Sequence, residues 1–133
     1  MAKVLITCVS GLRPDFQGQT LGLPIELTSS VAEQIAQLAP GAKVVEAFNL
    51  TFVELLQADS RQFGTERPSL LYCGDDADAK AIAAGLIEEC GYDAIDAGGL
   101  IKARSIEALA SIWVQTAAVT GLFPNTGLNI LRR

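Results

Sequence analysis

RPSLLYCGDDADAKAIAAGLIEECGYDAIDAGGLIKAR, residues 67–104, reads as strand, loop, helix, strand and loop. Ser69-Leu70-Leu71-Tyr72-Cys73 is a short apolar run bounded by Pro68 and Gly74, the pattern of a buried strand. Asp75 or Asp76 is placed to cap a helix that gains further acid at Asp78 and runs to Glu88-Glu89. Gly91 supplies its stop, and Asp93 to Ala97 makes the next strand, ending on Gly98-Gly99. A strand–helix–strand unit of this kind builds parallel sheet, and sites in such sheets sit at the carboxyl ends of the strands. Those ends are Gly74-Asp75-Asp76 and Asp96-Ala97-Gly98-Gly99.

A chain of 133 residues, half of them hydrophobic, is enough for one domain with a real core. Aromatic residues make up only 6 %, so the core must be built mainly from aliphatic residues, as close helix–sheet packing requires. The net charge of −5 argues against nucleic acid or an anionic membrane as the main partner. No apolar run approaches the ~18 residues of a spanning helix. The apolar start, Lys3 to Val9, is too short for a signal peptide and runs into Ser10-Gly11, so it reads as a buried first strand and the expected compartment is the cytoplasm. Cys8, Cys73 and Cys90 match no zinc or redox spacing and read as small buried hydrophobes. The chain has no histidine, which excludes a histidine metal site and a histidine general base.

Outward from the central unit, the loop from Ser10 to about Thr28 is punctuated by Gly, Pro and Asp, and a loop of that length is usually functional. Ser29 or Ser30 caps a helix from Val31 to Leu38, with Glu33 completing a capping box. Pro40-Gly41 ends it, and Lys43 to Phe48 is the second strand, with Asn49 at its carboxyl end as either a ligand contact or a turn former. Thr51 to Gln57 is a short helix. A long helix, Ile101 to Thr120, carries Ile106, Leu109, Ala110, Trp113 and Ala117 at helical spacing, so Trp113 reads as core or interface rather than as a cofactor stack. Leu128 to Leu131 is a candidate edge strand after the turn Asn125-Thr126-Gly127. Ser10, Ser29 and Ser30 have no histidine partner, and no Gly-rich Lys-Ser/Thr loop exists, so acyl and phosphoryl transfer find no support. Asp75, Asp76 and Asp78 fit a helix cap better than a Mg²⁺ site.

Several stretches together resemble the NADP-dependent oxidoreductases of the deazaflavin coenzyme F-420 and related dinucleotide-binding reductases, among them the reductase domains of membrane metalloreductases. They are Gly41-Ala42-Lys43-Val44-Val45-Glu46-Ala47-Phe48-Asn49, Arg67-Pro68, Tyr72-Cys73-Gly74-Asp75-Asp76-Ala77-Asp78-Ala79-Lys80, Asp96-Ala97-Gly98 with Leu100, Ala103-Arg104 and the closing Leu131-Arg132-Arg133. The resemblance is to the carboxyl-terminal part of that family. The Gly-x-Gly-x-x-Gly turn that binds the cofactor pyrophosphate has no counterpart in this sequence. Other family positions differ as well. Thr7-Cys8-Val9-Ser10-Gly11 replaces Asp-x-Thr-Asn-Pro, Leu50 replaces Thr, Gly99 stands for Pro, Lys102 for Asn, and Gln115 for the His after the Trp.

The resemblance implies an α/β fold for residues 1–133, a single truncated Rossmann-like domain. Its partial, mainly parallel sheet has about four strands flanked by helices, with a long C-terminal helix. It implies NADP or coenzyme F-420 as cofactor, if any is bound, with Ser10, Asn49, Asp96 and Gly98 as the cofactor-binding residues and no metal. Hydride transfer is then expected only when a separately encoded N-terminal half supplies the dinucleotide turn. The alternative is a non-catalytic binding or assembly module. Homo-oligomerisation through the first strand or the long helix is expected, because an unpaired strand edge invites pairing.

Overall fold

The computed structural model describes residues 2–12 and 28–133. Strand β1 (Lys3–Thr7) is followed by helix α1 (Val31–Leu38), strand β2 (Ala42–Glu46), helix α2 (Val53–Gln57), strand β3 (Ser69–Gly74), helix α3 (Ala77–Glu89) and strand β4 (Asp93–Asp96). A 3-10 turn, Leu100–Lys102, leads into the long helix α4 (Ala103–Thr120). Most of the expected loop between Ser10 and Thr28 lies outside the described residues.

The four strands form one sheet in the order β1-β2-β3-β4. β1 pairs with β2 in parallel over Lys3↔Ala42 to Thr7↔Glu46, and β3 pairs with β4 in parallel over Ser69↔Asp93 to Tyr72↔Asp96. The two halves meet in an antiparallel junction of Val45↔Gly74 and Glu46↔Cys73. The sheet is therefore mainly parallel, as expected, with one reversal in its middle. The connector explains the reversal. A parallel crossover needs an element long enough to return the chain along the sheet. α2 has five residues, about 7.5 Å of helix, and leaves the chain at the end of the sheet where β2 finished.

Alternation along the central strands divides the core between two faces. Val45, Ala47, Leu70 and Tyr72 pack with Ala79, Ala83 and Ile87 of α3. Val44 and Cys73 pack with Ala32 of α1, the turn at Leu100, and Ala103 and Ile106 of α4. The small side chains of α3 let it lie close on the sheet. Trp113, 5 % exposed, stacks on Phe52 with centroids 4.1 Å apart, and Phe123 meets Phe52 edge-on. Trp113 is thus a core residue tying α4 to the start of α2.

The helix ends follow their expected chemistry. Ser30 Oγ accepts from Glu33 N–H at 3.1 Å and donates to Glu33 Oε2 at 2.7 Å. Asp76, the second of the two candidate caps, accepts from Ala79 N–H at 2.9 Å. Two details differ from the sequence reading. Cys8 lies beyond the end of β1 and is exposed, because pairing with β2 stops at Thr7. Leu128 to Leu131 is not a strand. The Leu128 carbonyl accepts from Ser69 N–H, and Ile130 N–H donates to Ser69 Oγ at 3.0 Å, so the hydroxyl takes the place of a continued ladder. Leu70 is fully buried between α3 and the sheet. Leu70→Ala is expected to lose about 2–5 kcal/mol of unfolding free energy in urea titration.

Candidate functional site

β1 and β2 run one way and β3 and β4 the other, and β2 and β3 overlap only at their carboxyl-terminal residues, so the loops that leave the two halves diverge from that junction in opposite directions. Of the four expected cofactor-binding residues, the structure brings Ser10 together with Asn49 and Asp96 together with Gly98. The first pair follows β1 and β2, and the second lies at the end of β4.

At the β3/β4 end, the polar groups are engaged with one another. Asp96 Oδ1 binds Lys80 Nζ at 2.8 Å and accepts from Gly98 N–H at 2.8 Å. Burial works against the Asp96 charge, but Lys80 and the Gly98 N–H outweigh it and hold the carboxyl below its usual range. Asp75 Oδ1 accepts from Leu100 N–H at 2.8 Å, and the Gly98 carbonyl accepts from Gly74 N–H. Asp76 pairs with Lys43 at 2.7 Å, and that ammonium, together with the Ala79 N–H, lowers its pKa. A shallow cleft between α1 and this end is lined by Ala36, Lys43, Asp75, Asp76 and Leu100. These carboxylates cap helices and fasten loops. Among the described residues, no three of His, Cys, Asp or Glu come together in a way that could hold a metal ion.

The β1/β2 end is different. Asn49 is 7 % exposed, and its Nδ2 donates to Ser10 Oγ at 3.3 Å and to the Val9 carbonyl at 3.4 Å. It follows Phe48, whose φ of 64° is left-handed, a conformation that is strained for an aromatic residue and often marks a functional site. That turn brings the Asn49 carboxamide back over the sheet end. Its Oδ1 is buried and has no partner among the described residues.

Below Asn49 lies a pair of buried carboxyls that the sequence reading missed. Glu46, fully buried on β2, and Glu107, 2 % exposed on α4, face each other. Glu107 Oε1 accepts from Val31 N–H at 2.9 Å, so it caps the amino end of α1 from another helix. Among the described residues, Glu107 Oε2 and both Glu46 oxygens have no donor when both groups are ionised. Burial first, and then the neighbouring Glu107 carboxylate, pushes the Glu46 pKa up to about 9. Burial also raises that of Glu107, although the Val31 N–H works in the opposite direction. One proton held between the two carboxyls gives the pair a hydrogen bond and removes one charge from the interior. Nearby, Arg104 grips Glu33 through Nη2–Oε1 at 2.8 Å and Nε–Oε2 at 3.0 Å, which keeps Glu33 ionised.

Gly11 completes this end. Its φ is +60°, and a Cβ there would sit 2.5 Å from Val31 Cγ2 and 3.6 Å from Glu107 Oε1. The chain leaving β1 thus passes directly over the amino end of α1 and the carboxyl of Glu107. A signal for the pair did exist in the sequence. Glu46 interrupts the apolar run Val44-Val45-Glu46-Ala47-Phe48, and Glu107 falls on the same stripe of α4 as Ile106, Ala110 and Trp113.

No family model matches the chain. Residue comparison finds the metalloreductase STEAP3 of Rattus norvegicus, 36 % identical over 99 residues, which cover 71 % of this chain and 20 % of that protein. Two crystal structures are similar in fold. One, from Arthrobacter sp., is named for an F-420-dependent NADP reductase. It has a TM-score of 0.84 at 33 % identity and covers 98 % of this chain and 58 % of its own. The other is a hypothetical protein of Sinorhizobium meliloti, with a TM-score of 0.60 at 28 % identity, covering 79 % of this chain and 47 % of its own. This chain is similar to NADP-linked reductases and spans only part of each relative. No described helix is long and apolar enough to cross a membrane.

The raised carboxyl pKa has a consequence for stability. A proton that Glu46 keeps in the folded state, and that the unfolded chain releases near 4.5, makes unfolding more favourable as pH rises. The contribution is complete below about 4.5 and is lost progressively up to about 9, at a slope of about 1.4 kcal/mol per pH unit. Glu46→Gln, which cannot ionise, is expected to flatten that slope in urea titrations run from pH 5 to 9. A slope equal to that of the unsubstituted protein would show that Glu46 does not carry the proton.

Proposed function

We propose that this chain is a cofactor-binding part of an NADP- or F-420-linked oxidoreductase, with the cofactor meeting the β1/β2 end at Ser10 and Asn49. The observation that carries this reading is the likeness to the Arthrobacter reductase, which covers 98 % of this chain, together with an unpartnered Asn49 carbonyl at a strand terminus. Strand ends of open α/β sheets are where such ligands sit. In a hydride transfer the cofactors carry the chemistry, and the protein orients them and excludes water. Asn49 and Ser10 would do the orienting. Asp96 and Gly98, fastened to Lys80 and Gly74, would hold the loops after β3 and β4 in shape.

The chain has no Gly-x-Gly-x-x-Gly turn, so a pyrophosphate-binding element would come from a separately encoded partner. Two surfaces support association. β1 is an edge strand, paired among the described residues with β2 alone. α4 has no charged residue from Ala108 onward and exposes Ile112 and Val119. A second reading, a non-catalytic assembly module, is favoured by Leu50, Gly99, Lys102 and Gln115, which replace the residues common in the reductases this chain resembles.

Titration with NADPH and with F-420, followed by melting temperature, separates the two readings. A ligand at a hundred times its Kd adds about 2.7 kcal/mol of apparent stability, and Asn49→Ala is expected to weaken that ligand by about tenfold. No shift with either compound leaves the assembly module. Light scattering tests association separately. A mass of twice 14.0 kDa is expected for a homodimer, and a monomer at high concentration would rule out self-association.

A further inference from the structure

We propose that the open edge of β1 pairs antiparallel with β1 of a second copy of this chain, with Leu5 on the two-fold axis and Val4 hydrogen-bonded to Ile6 of that copy, so that the sheet continues across the dimer. The proposal rests on the association reading above, chooses β1 over α4, and does not depend on the cofactor.

The two edges of the sheet are built differently. β4 is short, and it begins and ends on aspartates, Asp93 and Asp96, which pair with Arg67 and Lys80. A short edge strand that carries charge is guarded against pairing with another chain. β1 has no such guard beyond Lys3, because Val4, Leu5, Ile6 and Thr7 include no charge and no proline. Val4, Leu5 and Ile6 are only half-buried. Val4 and Ile6 pack against the cluster on the α3 face of the sheet, and Leu5 packs against the cluster on the other face. Among the described residues, β1 pairs with β2 alone. A strand that is apolar on both faces and open along one side lacks a neighbouring strand.

The backbone sets the register. The Thr7 carbonyl accepts from Ala47 N–H at 3.0 Å, so the peptide groups of Thr7 face β2, and by strand alternation those of Leu5 and Lys3 do as well. The N–H and C=O of Val4 and Ile6 therefore face the open side. In an antiparallel pair, two residues with outward groups exchange both bonds, and the residue between two such pairs faces its opposite number without hydrogen bonds. Val4 opposite Ile6, Leu5 opposite Leu5 and Ile6 opposite Val4 obey that rule and use every outward group of Val4 and Ile6. Lys3 then lies opposite Thr7, so all of β1 is paired and no like charges meet. A register two residues away sets Val4 against itself or Ile6 against itself and leaves one end of the strand unpaired. On the α3 face, Val4 and Ile6 of one copy meet Ile6 and Val4 of the other, a cluster of β-branched side chains. The strand is thus complementary to itself, which is what selects a second copy as its partner. The pairing is isologous and closes at two copies.

The test uses light scattering and cross-linking of the intact chain. The unsubstituted protein is expected at twice 14.0 kDa. Leu5→Lys and Leu5→Glu each set like charges face to face across the axis, and each is expected to raise the dissociation constant by about tenfold or more. Mixing the two variants should restore the dimer. Val4→Pro removes an outward N–H and leaves the bonds to β2 in place, so it serves as a second variant should the Leu5 substitutions fail to fold, and it should likewise dissociate. Leu5→Cys in a Cys8→Ser background should link into a disulfide dimer on mild oxidation, because a pair without hydrogen bonds brings the two Cα atoms to about 4.5 Å. Val119→Lys, on the exposed side of α4, should leave the mass unchanged. A monomer at high concentration, or a dimer that survives Leu5→Lys and Val4→Pro but is lost in Val119→Lys, overturns the proposal. If the dimer responds as expected and NADPH leaves its melting temperature unmoved, the edge pairing stands and the cofactor reading falls.

Discussion

Two residue pairs, Val45↔Gly74 and Glu46↔Cys73, join two parallel half-sheets in opposite directions. Everything about where chemistry can occur depends on that junction. Had the sheet been parallel throughout, the carboxyl ends of all four strands would share one rim, and Ser10, Asn49, Asp96 and Gly98 could face one ligand. With the reversal, each half has its own rim. One is filled by ion pairs and helix caps. The other carries unpartnered acceptors over a carboxyl pair. The two rims differ in what they leave unsatisfied, and this difference is what singles out the Asn49 end.

The same junction also explains why Glu46 is buried so deeply. It is paired to β1 through Thr7 on one side and to β3 through Cys73 on the other, and α1 and α4 close over its face. A carboxylate in that position without compensation would be strongly destabilising. The fold manages it with a second carboxylate anchored on a helix amino end and a proton between the two. Arg104 is committed to Glu33 in a two-point contact, and among the described residues no cation pairs with Glu46.

Much of this architecture was legible from residues. The unit from β3 to β4 follows its apolar runs and its caps closely, because Asp76, Gly91 and the small residues of α3 each have one strongly preferred use. Ser30 with Glu33, and the stripe of α4 that contains Trp113, were equally clear. The reversal was not, since strand–helix–strand patterns look alike in either direction, and only the brevity of α2 hinted at a connection that never crosses the sheet. Cys8 and Leu128–Leu131 were misread because an apolar run does not say where its pairing partner stops. The carboxyl pair went unread because Glu46 and Glu107 are far apart in the chain, and the apolar surroundings of each do not say that the two face one another.

Gly11 shows how little room the β1 exit leaves for change. A side chain there would collide with Val31 on a backbone that disfavours one, and relief would require lifting the chain from the amino end of α1, where Glu107 is anchored. Its neighbours Cys8 and Val9 are exposed and carry no such restriction. Within a few residues the chain thus passes from positions open to sequence drift to one that admits almost none. A library of variants built across this segment would return that contrast as a sharp step in tolerated substitutions.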